Sequence, residues 1–137
     1  DAAARAKQAG RHFDRFQDAG STMGERSFLN ALEQLGPLLL SLWLCGVFVS
    51  SGLATGLGAV AAASRLLFPV LWSLGPDGEW SMLVELSTQP YYLCVFGMLG
   101  AVATWSVSGA VVTDWPAGAV AAHTVAAYAL GFGAAFL

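Results

Sequence analysis

Four long apolar runs follow one another along the chain: Leu38 to Ala54, Leu57 to Leu74, Tyr91 to Val112, and Ala117 to Leu137. Each is close to the roughly 20 residues a helix needs to cross a hydrocarbon core. None shows a period of two, and Ala and Gly are too frequent for strands, so a membrane β-barrel is excluded. The pattern predicts an all-α fold: an integral membrane four-helix bundle with a polar N-terminal extension. The extension is residues 1–24 and the helical domain residues 25–137, with spans over about 35–54, 55–74, 91–112 and 117–137.

The connections constrain how the helices pair. Only Ser50-Ser51-Gly52 separates the first two runs, which predicts an antiparallel hairpin. Gly75-Pro76-Asp77-Gly78-Glu79-Trp80, continuing to Pro90, reads as a turn and a surface segment with Trp80 and Met82 at headgroup level. Thr113-Asp114-Trp115-Pro116 reads as a helix stop and restart, with Asp114 as a cap, Pro116 at an early helical position and Trp115 at the interface. In the extension, Phe13 and Phe16 would give a short helix an apolar edge for the membrane surface, against the alternative of a solvated segment.

Composition supports the membrane assignment: 56% of residues are hydrophobic and only 11% charged, outside the range of soluble domains. Of the 6 Lys and Arg, all but Arg65 precede the first apolar run. That bias places the N-terminal end of the first span on the cytoplasmic side or its organellar equivalent. It leaves no basic surface for nucleic acid. Cys45 and Cys94 stand alone in apolar spans, which predicts small buried hydrophobes and neither a metal site nor a disulfide.

The chemistry gathers around Arg65, the one charge between Leu35 and Gly75. Arg26, Asn30 and Glu33 fall at i, i+4 and i+7, one face of the first long helix. Pro37 removes a helical donor and frees carbonyls that a neighbour must satisfy. Measured from the Ser51 turn at 1.5 Å per residue, Glu33 lies about 27 Å back and Arg65 about 21 Å on, within reach of each other. A Glu33–Arg65 pair is therefore expected, since an unpaired cation at this depth costs roughly 2.5–3.5 kcal/mol on insertion scales. The alternative is that Arg65 snorkels past Trp72 to the interface.

Glu25-Arg26-Ser27-Phe28-Leu29-Asn30-Ala31-Leu32-Glu33-Gln34, then Pro37, Leu42-Trp43, a short turn and Arg65, resembles the MAPEG family of membrane-associated glutathione-handling proteins. The resemblance covers about residues 25–74. It implies a helical bundle, commonly a homotrimer, with glutathione held between subunits by Arg, Asn, Glu and Tyr. By position, Arg26, Asn30, Glu33 and Arg65 would be the glutathione contacts. The sequence also departs from the family. Leu67, Phe68 and Trp72 stand where catalytic members carry Arg and Tyr, no basic residue follows Arg65, Tyr91, Tyr92 and Tyr128 lie elsewhere, and the last run is an additional helix. The expectation is a non-catalytic MAPEG-like subunit, with no catalytic residue and no metal, packed among other membrane protein subunits of a photosynthetic or respiratory complex. An organelle membrane, thylakoid or mitochondrial inner, is the expected location, with chlorophyll, carotenoid or lipid contacts. The alternative is a MAPEG-type glutathione transferase or peroxidase.

His123 lies among alanines of the last span and needs a partner that hydrocarbon does not supply. A hydrogen bond to a neighbouring helix and ligation of a tetrapyrrole metal are the two solutions. Gly52 and Gly56 with Ala59 and Ala63, Gly97 and Gly100 with Ala101, and Gly118 and Ala122 with Ala126 form small-residue stripes on three helices. Such stripes let backbones approach closely, which is how helices associate in lipid.

Overall fold

The computed structural model describes residues 2–10, 12, 14, 19–75 and 81–134. Their elements are α1 (Ala2–Gln8), α2 (Ala19–Phe48), α3 (Ser51–Ser73), α4 (Met82–Ser108), a 3-10 turn (Val112–Asp114) and α5 (Ala117–Ala134). No strand occurs among the described residues, and the fold is the expected all-α membrane bundle; α2 begins at Ala19, inside the stretch 1–24 expected as a polar extension and well before the span expected from about residue 35. Helices α2, α3 and α4 are long and apolar enough to cross a membrane, and the shorter apolar stretch Ala117–Gly131 accompanies them. Phe13, Phe16 and residues 76–80 lie outside the described residues.

Local chemistry sets the ends. Only Val49 and Ser50 separate α2 from α3, with Val49 and Ser50 both donating to the Cys45 carbonyl. Ser50 is extended and its hydroxyl accepts from the Leu53 N–H, an N-cap that starts α3 at Ser51. The turn is therefore tighter and earlier than the Ser50-Ser51-Gly52 link suggests. Helix α4 starts at Met82, nine residues before the expected Tyr91, because Pro90 is accommodated inside it. Its far end comes at Gly109, whose φ of 69° ends the helix in the left-handed conformation. Asp114 sits in the 3-10 turn, and the Pro116 carbonyl accepts from Ala119 and Val120 to open α5.

Helix α4 is the hub. It packs against α2, α3 and α5, while α2 and α3 pack against each other as the expected antiparallel hairpin. The face α3 turns inward is Ala54, Gly58, Ala61, Ser64, Phe68 and Trp72, at the 3- and 4-residue steps of a helical stripe. Its small members admit the neighbouring helix: a Cβ on Gly58 would stand 2.5 Å from Leu42 Cδ2. The stripe of Gly52, Gly56, Ala59 and Ala63 faces outward, whereas Gly97 and Gly100 face α5, against Thr124 and Ala127. Cys45, Ala54 and Met98 fill the seam of α2, α3 and α4 at one end, and Phe68, Trp72 and Val84 close the other. Both cysteines are buried and free.

Candidate functional site

Asn30, Arg65 and Tyr91 come together where α2, α3 and α4 meet, towards the N-terminal ends of α2 and α4. Arg65 Nη1 donates to Asn30 Oδ1 at 2.8 Å. The guanidinium carbon lies 4.0 Å from the centroid of the Tyr91 ring, with Phe68 at 5.6 Å and Tyr92 at 5.9 Å. An aromatic face this close stabilises a desolvated cation by about 2 kcal/mol. The expected Glu33 pair does not form: Glu33 is exposed, and the bond goes to Asn30 one turn earlier. Three residues turn a helix by about 300°, so Asn30 and Glu33 sit about 60° apart, and only Asn30 lies on the line facing α3. Arg26 is exposed on α2 and joins no contact with Arg65.

The tyrosines of α4 lock onto the backbone near Pro37. Tyr91, fully buried, donates its hydroxyl to the Gln34 carbonyl at 2.5 Å. Gln34 Nε2 in turn donates to the Tyr92 hydroxyl at 3.0 Å. Pro37 lacks the N–H that would bond the Glu33 carbonyl, and the adjacent carbonyl receives the outside donor. A second polar chain follows on the same helix: Gln89 donates to Glu85, and Tyr128 of α5 donates to Gln89.

Beside Arg65 lies a cleft of about 220 Å³ lined by Ser27, Phe28, Asn30, Ala31, Arg65, Phe68 and Pro69. Three polar atoms on its residues are buried without a partner: Arg65 Nε, Arg65 Nη2 and Ser27 Oγ. Nε and Nη2 are the two parallel donors on one edge of a guanidinium, the edge that takes both oxygens of a carboxylate. A buried donor left unmade costs about 1–3 kcal/mol, more when charged, and this edge is open to an acceptor from outside the chain. Ser27 was invisible as a site residue in the sequence, where one Ser among many carries no signal. Tyr91 did carry one. Arg65 lies about 12 Å before the end of α3 and Tyr91 about 14 Å after the start of α4, matching depths in antiparallel neighbours.

His123 sits at the opposite end of the bundle. Its Nε2 lies 2.7 Å from Thr104 Oγ1, and its ring meets Trp115 edge-on at 5.6 Å between centroids. The bond to a neighbouring helix is thus present, and a tetrapyrrole metal at Nε2 would have to displace Thr104.

A family model described as MAPEG family matches residues 2–104, more than the stretch from Glu25 to Leu74 that the motif alone covers. The match takes in α1 to α3 and most of α4 and leaves α5 outside. Neither the curated proteins nor the solved structures give a match to this chain.

Proposed function

Because this chain belongs to the MAPEG family, we propose that it is an integral membrane subunit that holds glutathione, or a ligand presenting the same carboxylate, at the Arg65 cleft without turning it over. The observation that carries this is the open Nε and Nη2 edge of Arg65, buried beside the equally unpartnered Ser27 hydroxyl. Binding is supported by that edge, and the lack of turnover by what surrounds it. Arg65 is the only Lys or Arg after Arg26, so the second carboxylate of glutathione finds no cation on α3, α4 or α5 besides Arg65. The Tyr91 hydroxyl, a candidate donor to a thiolate, is committed to the Gln34 carbonyl. The subunit role is supported by α3 and α5, whose outward faces are smooth: a Cβ on Gly56 or Gly118 would meet nothing within 4 Å, and Ala122 and Ala126 are exposed. Faces of this kind admit a partner helix at close range.

The test is glutathione binding to the detergent-purified protein by calorimetry, run beside a conjugation assay with a chlorodinitrobenzene. Saturable binding that falls at least tenfold in Arg65→Lys, with no conjugation, is the expected result. Lys keeps the charge and loses the fork, so an unchanged affinity would remove the carboxylate site. Ser27 favours one other reading, the MAPEG-type transferase or peroxidase in a homotrimer, because its hydroxyl stands beside the guanidinium where a bound thiolate would need a donor. Turnover lost in both Ser27→Ala and Arg65→Lys would establish the enzyme.

A further inference from the structure

Depth adds to what the chemistry of the Arg65 cleft says about its occupant. Counted from Ser51 at 1.5 Å per residue, Arg65 lies about 21 Å along α3 and Pro69 about 27 Å, while Ser27 lies about 36 Å back along α2. With Ser51 at one boundary of about 30 Å of hydrocarbon, the cleft starts inside the apolar layer and opens at headgroup level. The 2.8 Å bond from Nη1 to Asn30 draws the guanidinium towards that opening, since Asn30 itself lies about 32 Å back.

Among the lining residues Arg65 alone is charged, Asn30 Oδ1 already accepts from Nη1, and Phe28, Ala31, Phe68 and Pro69 are apolar. Arg65 Nε and Nη2 and the Ser27 hydroxyl are left buried without a partner. The space of about 220 Å³ equals roughly seven water volumes. A carboxylate at the end of a single chain would leave much of it empty, yet it falls short of the roughly 300 Å³ at which pockets enclose a whole small ligand. An oxyanion with bulk of its own therefore fits, and the rest of its molecule stays outside. What lies outside is an apolar track. Leu35 and Leu39 follow Ala31 at four-residue steps on α2, Ala62 precedes Arg65 by three on α3, and all are exposed. Phe28 at the cleft itself is 63% exposed.

We propose that the Arg65 cleft binds the phosphate of a membrane phospholipid, its unesterified oxygens on Nε and Nη2, an oxygen of the glycerol phosphate accepting from Ser27, and its acyl chains lying over Leu35, Leu39 and Ala62. This rests on the reading of the same edge as an oxyanion site, and it makes lipid the competitor of glutathione there. The guanidinium fork matches phosphate as well as it matches carboxylate. Phosphate on the edge, glycerol in the cleft and chains in the bilayer account together for the depth, the volume and the exposed track. Basic pockets between membrane helices near one surface are recurrent headgroup sites. Glutathione, arriving from water, reaches Arg65 only by displacing the lipid, so phospholipid raises its apparent Kd.

The probe is dioleoyl phosphatidylglycerol added to the detergent-purified, delipidated protein, with bound lipid counted by native mass spectrometry. Saturable binding of one lipid per chain is expected, weakened at least tenfold in Arg65→Lys, which keeps the charge and loses the fork. Ala31→Leu fills an exposed wall of the cleft and leaves Arg65 and Asn30 in place. It is expected to weaken binding to the same degree, so the test stands if Arg65→Lys does not fold. Dioleoylglycerol, which lacks the phosphate, should not compete. Binding equal in both variants and the unmodified chain would be general lipid contact and would overturn the assignment. Displacement by oleate or by glycerol 3-phosphate at the lipid's own concentration would do the same, pointing to a fatty carboxylate or a soluble phosphate. Glutathione calorimetry with and without the lipid tells the two ligands apart. Equal glutathione affinity in both conditions overturns the lipid site and leaves glutathione binding standing; lipid bound as expected, with no glutathione bound in either condition, supports the lipid site and removes glutathione.

Discussion

Arg65 offers a direct measurement of which partner stabilises it. Replacing it with Leu loses a charge-assisted hydrogen bond to Asn30, about 1.5–3 kcal/mol by general experience, and the Tyr91 face, about 2 kcal/mol. It also removes a cation whose presence in the span costs roughly 2.5–3.5 kcal/mol. The net destabilisation is therefore small, about 1 kcal/mol, although the anion cleft is abolished. The informative quantity is the coupling in a double-mutant cycle of Arg65→Leu with Asn30→Ala. With Nη1 at 2.8 Å from Oδ1, it is expected at about 1–2 kcal/mol, the upper part of the range for polar pairs between membrane helices. The parallel cycle with Glu33→Leu should give no coupling. Unfolding by SDS in mixed micelles, followed by tryptophan fluorescence, supplies the free energies. Coupling confined to Glu33, or absent from Asn30, would refute the geometry.

Three further outcomes follow from the packing. Tyr91→Phe, which keeps the ring over Arg65 and loses the hydroxyl bond to Gln34, should cost about 1 kcal/mol in the same assay, and Tyr91→Leu about 2 kcal/mol more as the cation loses its aromatic face. Gly97→Leu should separate α5 from α4, because even a Cβ there would stand 2.7 Å from Thr124 Cγ2; Gly56→Leu, facing open space, should leave melting unchanged, and equal losses would contradict the packing. Ser50→Ala should lower stability by about 1 kcal/mol through loss of the α3 cap, visible as faster hydrogen exchange at Leu53.

The helices were legible because lipid imposes run length on them, and Arg65 because a charge in such a run stands out. Asn30 was legible as a face-mate of Glu33, but the choice between them was not. It depends on the azimuth at which α2 meets α3, and depth counting does not contain that angle. Tyr91 and Tyr92 follow Arg65 at a distance along the chain, which hides them as its partners; the antiparallel return of α4 brings them to its level. Pro90 reads as a boundary in the sequence, yet α4 runs through it, since neighbouring helices can hold the turns that flank a proline. The stripe of Gly52 and Gly56 shows the limit of composition: the closely packed face of α3 is Ala54, Gly58 and Ala61, two residues out of step.

The link of Val49 and Ser50 bears on how the chain enters the bilayer. A connection this short cannot let α2 settle before α3 follows, so the translocon must release the two as one helical hairpin. Asn30 is synthesised 35 residues before Arg65, and is in place when the arginine emerges. The guanidinium then partitions as half of a hydrogen-bonded pair, and α3 never has to carry its charge into lipid alone.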